Sequence, residues 1–406
     1  MALIIVPLAV FTKNTPFPGW NALYPCLGAM LVIYGGASPL SGGLLRQPLL
    51  VGLGLRSYSV YLAHWPLISF YKSDTLARLT TTERIALLVA SLAAGAAMYR
   101  FIEQPFRVRE GRPARIPGRA AATIGLSASA VIAVVGSLLW VSDGWIARLP
   151  PELRTAVETM ATEQKDYWKF AMGQKFERTD KTNVLVFGNS FGIDTYYGLR
   201  QYDALSVVYS GTTHYGCLAF FVRANASSPE CLERNLALLG ANDVTNADVI
   251  VLSELWGVHL GAQTYERELD RLFAAIRAVN PPIKIVLVGP RMTFVGKVVD
   301  HLIQHKSLDG AEAALSRHYA MPLNKLRDFD QTMRAHAALR NVAYVSLVDL
   351  MCGTGQCQVM TPGDHRQIYM DDGHFTRRGA EYVGRLTWER YGGAFAREHR
   401  REARLP

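Results

Sequence analysis

Apolar and polar positions divide this chain into two parts. Over roughly the first 145 residues, apolar positions run almost unbroken across 22–36, 49–71, 84–102 and 120–141, with a shorter apolar start at 1–11. The second and fourth runs are long enough to cross a hydrocarbon core of about 30 Å, whereas 1–11 is too short to do so alone. That first stretch has neither the basic n-region nor the small-x-small cleavage site of a signal peptide, and it reads as the tail of a truncated helix. Beyond residue 145 the pattern changes. Short apolar runs at 184–187, 205–209, 249–252, 283–288 and 342–345 predict strands. Helical patterns fall at 193–199, 266–279, 324–339 and 377–391, and a polar, helix-prone stretch at 152–174 follows Pro150-Pro151. Strands alternating with helices imply βαβ units. The expected architecture is an N-terminal α-helical transmembrane bundle followed by a C-terminal α/β three-layer sandwich with a parallel sheet. The boundaries are placed at 1–145, 146–180 (a linker or extension) and 181–406.

Charge sets the orientation. The loop between the third and fourth long runs carries Arg107, Arg109, Arg112, Arg115 and Arg119 against one acid, Glu110. By the positive-inside rule it is cytoplasmic, and Arg46 falls on the same side if the spans alternate. Everything after about residue 141 then lies outside the cytoplasm, which in a bacterium with two membranes is the periplasm. The expected location is the inner membrane, multi-pass, with the lipid bilayer as a partner. The formal net charge of +9 is concentrated in these loops, without an aromatic-interleaved basic stripe, which argues against a nucleic-acid partner.

Cysteine usage fits an oxidising compartment. Beside Cys26, in a span, stand Cys217, Cys231, Cys352 and Cys357. They allow three pairings, and the short separations favour Cys217 with Cys231 and Cys352 with Cys357. Cys352-Gly-Thr-Gly-Gln-Cys357 lacks zinc-site spacing, so no metal is expected.

The candidate chemistry begins at Val184-Leu185-Val186-Phe187-Gly188-Asn189-Ser190-Phe191. A serine between a strand's carboxyl end and a helix is exposed where ligands collect in an α/β sheet, near N–H groups that would stabilise an oxyanion. A polar helix cap has the same look, so a base must be found. One is offered by Asp371-Asp372-Gly373-His374, just before the last helix. Asp371 can orient the imidazole of His374, which can take the proton of Ser190. Asp364 and His365 lie outside that spacing and are treated as decoys.

At these residues the chain resembles the SGNH (GDSL-like) hydrolase superfamily over roughly 180–390. The first block, Gly-Asp-Ser-His in the family, is Gly188-Asn189-Ser190-Phe191, and the last, D-x-x-H, is Asp371 to His374. The resemblance implies an oxyanion hole with a glycine N–H from a second block, for which Gly211 or Gly216 is a candidate. The third-block Asn is absent: the equivalent strand ends in Ser253-Glu254-Leu255-Trp256. A missing donor corresponds to about 3 to 4 kcal/mol of transition-state stabilisation. Trp256 is a candidate for stacking on a sugar or for a core position, and Gly289-Pro290-Arg291 for lining the cleft.

A second resemblance lies in the membrane part. Ser57-Tyr58-Ser59-Val60-Tyr61-Leu62-Ala63-His64-Trp65-Pro66-Leu67 and Tyr99-Arg100-Phe101-Ile102-Glu103-Gln104-Pro105-Phe106-Arg107 look like the last helices of the acyltransferase 3 family. Members fused to an SGNH domain through one extra span O-acetylate cell-envelope polysaccharides such as the O-antigen of lipopolysaccharide. The resemblance therefore implies a membrane O-acyltransferase with a polysaccharide or lipid-linked glycan as acceptor. Acetyl-CoA would be the ultimate acyl donor, with no bound cofactor. Such fusions carry ten family helices before the linking one, with the presumed catalytic motifs in the early ones, so 1–145 corresponds to the C-terminal helices only. His64 is an ionisable residue within a span. Three readings stay open: acyl transfer to a glycan, hydrolysis as an esterase, and a membrane-anchored glycan-binding remnant. The sugar, the acyl chain and the oligomeric state are not specified by the sequence.

Overall fold

A computed structural model describes residues 2–396, apart from 13–14, 17, 36–41, 44, 76–78, 108–115, 172, 178–179, 212–216, 220–221, 224–241, 258–260, 354 and 365. The chain forms two compact units, Met1–Gly144 and Trp145–Pro406.

The first unit is helical: α1 (Ala2–Val10), α2 (Leu23–Tyr34), α3 (Pro48–Thr75), α4 (Thr81–Met98) and α5 (Gly118–Val141). Among the described residues, two helices are long and apolar enough to cross a membrane, Thr81–Phe106 and Gly118–Val141. The first of these is α4 extended through a π-turn at Tyr99–Glu103. The other expected runs differ for two reasons. Leu23–Tyr34 has only 12 residues, and Pro48–Thr75, with 28, is broken by the polar Arg56, Ser57, Ser59 and His64. Helices α3 and α4 approach closely because position 95 is glycine; a Cβ there would lie 2.3 Å from Val60 Cγ2. That contact carries Ser59 Oγ to Glu103 Oε2 at 2.8 Å, where it donates, and Glu103 also pairs with Arg107 at 2.9 Å. Arg109, Arg112 and Arg115 of the basic loop lie outside the described residues.

The second unit is an α/β domain around a five-stranded sheet. Its strands are β1 (Thr182–Gly188), β2 (Leu205–Gly211), β5 (Val249–Ser253), β6 (Lys284–Val288) and β7 (Ala343–Val345). A short separate hairpin pairs β3 (Cys217–Ala219) with β4 (Val222–Arg223). The sheet order is β2-β1-β5-β6-β7 and every pairing within it is parallel. Parallel strands need helical crossovers, which cover both faces and make both sets of alternating side chains apolar. Val184, Val186, Val249, Val251, Val286 and Val288 point into one core. It is shared with α6 (Pro151–Ala171), α7 (Ser190–Leu199) and α13 (Arg377–Tyr391). Leu185, Phe187, Ile250, Leu252, Ile285 and Leu287 point into the other, with α8 (Gln263–Val279) and α11 (Leu323–Leu339).

Segment 146–180 is therefore no free linker over its helical part: Leu153, Met160, Tyr167 and Ala171 of α6 are buried in the domain's core. Between β6 and α11 two further helices appear, α9 (Val298–His305) and α10 (Leu308–Leu315), which the apolar pattern did not single out. The shorter α12 (Leu347–Met351) follows β7.

The order places β2 on one side of β1 and β5 on the other, so the direction in which strands are added across the sheet reverses beside β1. In open α/β sheets that switch point is where ligands bind. Ser190 sits there.

Candidate active site

β1 ends against its neighbour so tightly that only glycine fits: a Cβ on Gly188 would lie 1.8 Å from the Ser253 carbonyl oxygen. Asn189 then caps α7, its Oδ1 accepting the Phe191 N–H at 3.0 Å. Ser190 is the first residue of that helix, three residues earlier than the apolar periodicity implies. The Gly192 N–H is taken by the Asn189 carbonyl at 2.9 Å. The Ser190 N–H has no partner among the described residues, so this amide at the positive end of the helix is available to an oxyanion. The Tyr209 hydroxyl, from β2, sits 3.0 Å and 2.9 Å from the Gly188 and Asn189 carbonyls and shares its one proton between them, pinning the turn from below.

The opposite wall is the turn before α13. His374 Nε2 lies 2.8 Å from Ser190 Oγ, and His374 Nδ1 lies 2.8 Å from Asp371 Oδ2. The remaining oxygen of Asp371 accepts the backbone N–H groups of Gly373 at 2.9 Å and His374 at 2.7 Å. Burial pushes the Asp371 carboxyl up, but the His374 side chain and these two N–H groups outweigh it and hold the carboxyl below its usual range. A carboxylate acceptor fixes Nδ1 as the protonated ring nitrogen, leaving Nε2 free to accept the serine proton. His374 is partly open to solvent, with 18% of its side chain exposed.

Beneath this pair lies a buried polar group of which the sequence singles out only Arg291, as a residue that could line the cleft. Asp194 of α7 pairs with Arg291, Oδ2 to Nη2 at 2.5 Å, and accepts the Phe375 N–H at 3.2 Å. Its Oδ1 accepts the Tyr167 hydroxyl from α6. Burial first, and then the Asp194 charge, push the Tyr167 hydroxyl well up, so it stays a donor.

The other expected residues fall as follows. Gly211 ends β2 in register with Gly188, level with the serine turn, whereas Gly216 lies outside the described residues. Trp256 is not an exposed platform for a sugar. It is 4% exposed, donates its indole N–H to the Val288 carbonyl at 2.9 Å and meets Tyr265 edge-on, a core position. It does border a small cavity with Phe191, Glu254 and Arg291. Cys352 and Cys357 form a disulfide. Only the backbone of Cys217 is described, in β3, and Cys231 lies outside the described residues, as does His365. Asp364 accepts the Thr361 hydroxyl within its own turn. His64 Nδ1 donates to the Tyr61 carbonyl one turn back, at 2.6 Å. Among the described residues no cluster of His, Cys, Asp and Glu is arranged to hold a metal.

The sequence profile described as "SGNH domain (fused to AT3 domains)" matches residues 160–389, more than half of the chain, and the chain belongs to that family. The match begins within α6 and ends within α13. No curated protein matches the chain. Among solved structures, the periplasmic domain of a lipopolysaccharide acetyltransferase from Salmonella ser. Paratyphi A is similar at 13% identity and a TM-score of 0.40. It covers 60% of this chain and 98% of its own. A Streptococcus pneumonia protein, provisionally described as a platelet activating factor, is similar at 13% identity and a TM-score of 0.32, covering 63% and 98%. Superpositions this loose say nothing about chemistry.

Proposed function

We propose that this protein is a membrane-bound O-acyltransferase that places acyl groups, acetyl first among them, on hydroxyls of a cell-envelope polysaccharide or lipid-linked glycan outside the cytoplasm. The observation that carries the reading is the unbroken relay from Asp371 through His374 to Ser190, with both links at 2.8 Å. Ser190 Oγ attacks the acyl carbonyl as its proton passes to His374 Nε2, and the departing group takes that proton, leaving an acyl ester on Ser190. An acceptor hydroxyl then attacks the ester, giving its proton to His374, which returns it to the serine. In each half the Ser190 N–H, with a glycine N–H from the region of Gly211, faces the negative oxygen. Asp371 keeps the imidazole in the right tautomer.

Transfer to a glycan rather than to water is supported by the family's description as fused to AT3 domains and by the two acyltransferase 3 phrases, which are joined by the Ser59–Glu103 hydrogen bond beside the close approach of Val60 to Gly95. On this reading the N-terminal helices belong to the inner membrane in a multi-pass arrangement, the α/β domain faces the periplasm, and cytoplasmic acetyl-CoA is the ultimate donor.

The test is the purified full chain acting on a chromogenic acetyl ester, with and without an O-antigen-type oligosaccharide. Transfer predicts acetylated oligosaccharide that disappears in Ser190→Ala. Acetate release unaffected by any acceptor would make the protein an esterase. Absence of both products would leave a glycan-binding remnant and sink the enzymatic reading.

A further inference from the structure

Arg291 leaves β6 after Gly289-Pro290, and its side chain is only 4% exposed. Its guanidinium carbon stands 4.0 Å from the centre of the Phe191 ring and 4.1 Å from that of Phe375. These rings occupy matching places: Phe191 is the residue after Ser190, and Phe375 is the residue after His374. The same guanidinium pairs with Asp194, one turn after Ser190 on the serine's helix, and Asp194 accepts the backbone N–H of Phe375 at 3.2 Å. One cation thus touches the nucleophile turn through a ring and a carboxylate, and the base turn through a second ring. Phe191 also meets the imidazole itself, with ring centres 4.7 Å apart.

The choice of arginine follows from this geometry. A flat guanidinium can lie between two aromatic faces and still come within ion-pair distance of a carboxylate, as Arg291 does here without an aligned hydrogen bond from Nε or Nη2 among the described residues; an ammonium cannot do both, and an apolar side chain of equal length would leave the Asp194 charge buried. Packing alone does not require a charge at this depth, because burying an ion pair is expensive compared with apolar residues of similar volume.

We infer that Arg291 is a positioning residue for the acyl-transfer site: with Asp194 it clamps the Ser190 turn to the His374 turn and so sets the hydrogen bond between them. This rests on Ser190 being the nucleophile, as proposed above. The two turns come from sequence positions 184 residues apart and from different elements, so something between them must fix their separation. Displacement of a reacting group by about 1 Å can cost about 100-fold in rate.

The experiment measures the rate of fluorophosphonate labelling of Ser190 in the purified full chain, together with thermal stability. Arg291→Met combined with Asp194→Asn removes both buried charges, which restores the balance that either change alone would upset. In the double variant the maximal labelling rate should fall about 10- to 100-fold at an unchanged half-saturating probe concentration, in a protein that melts close to the parent. Arg291→Lys should recover only part of the rate. Parent-like labelling of a folded double variant would overturn the clamp and leave the nucleophile assignment standing. No labelling of the parent chain would overturn both. Should the double variant not fold, Phe375→Leu, which keeps the ion pair, replaces it: slower labelling supports the clamp and an unchanged rate overturns it.

Discussion

The side-chain oxygen of Asn189 accepts the Leu255 N–H at 3.2 Å, tying the serine turn to the segment that leaves β5. The same oxygen caps α7 through Phe191 at 3.0 Å. Both contacts need only an acceptor, which an aspartate at this position would also supply. Asn189→Asp should keep them and melt close to the parent. Asn189→Ala should lose about 1 to 2 kcal/mol of stability, the usual cost of a lost helix cap, and should slow any Ser190-dependent reaction. Thermal denaturation of the two variants separates the cases.

Asp371 makes acid sensitivity predictable. Its folded pKa lies below the ordinary carboxylate value, so it stabilises the fold at any pH above that value. The contribution is lost as pH falls from about 4, the unfolded value, through the folded one. Asp371→Asn should therefore flatten the fall in melting temperature on the acid side. It should also lower the maximal turnover of an acetyl ester by about 10,000-fold, the effect of losing the tautomer-fixing carboxylate in a serine triad.

The Cys352–Cys357 bridge closes a short loop beside the core, where both residues are 4% exposed. Chain-entropy estimates for so short a loop give about 2 kcal/mol. Replacing both cysteines by serine should lower the melting temperature, and reductant should shift the parent chain more than the variant. Since Arg327 donates from α11 to the Gly353 carbonyl at 2.7 Å, part of the loop should hold without the bridge.

Much of the fold is legible in the chain because each strand is buried on both faces, giving short runs such as Val184-Leu185-Val186-Phe187 that stand out from their flanks. The helix of Arg377–Tyr391 is bounded by local signals, the Thr376 cap and the glycines that follow Tyr391. The helices Val298–His305 and Leu308–Leu315 carry no comparable run. Ser190, Asp371 and His374 are legible because their chemistry is spaced by short motifs. The contacts among Asp194, Arg291 and Tyr167 are not, because they join three distant segments; Arg291 stands out only as a residue that could line the cleft, and Asp194 and Tyr167 look ordinary in their own segments. Trp256 is open in the sequence between a sugar platform and a core position, and only the fold reveals that its N–H is spent on Val288. Among the N-terminal helices, Leu23–Tyr34 is shorter and Pro48–Thr75 more polar than Gly118–Val141, which apolar runs read without their polar interruptions do not distinguish.

The central claim is that Ser190 carries the acyl group. Its most direct test is to mix the purified full chain with an activated acetyl ester, quench it in acid within the first turnover, and map the adduct by peptide mass spectrometry. The account predicts a single acetyl group on the peptide holding Ser190, accumulating in the parent chain and absent from Ser190→Ala and His374→Ala. An acetyl group on another residue, or turnover with no adduct at Ser190 at any quench time, would contradict it.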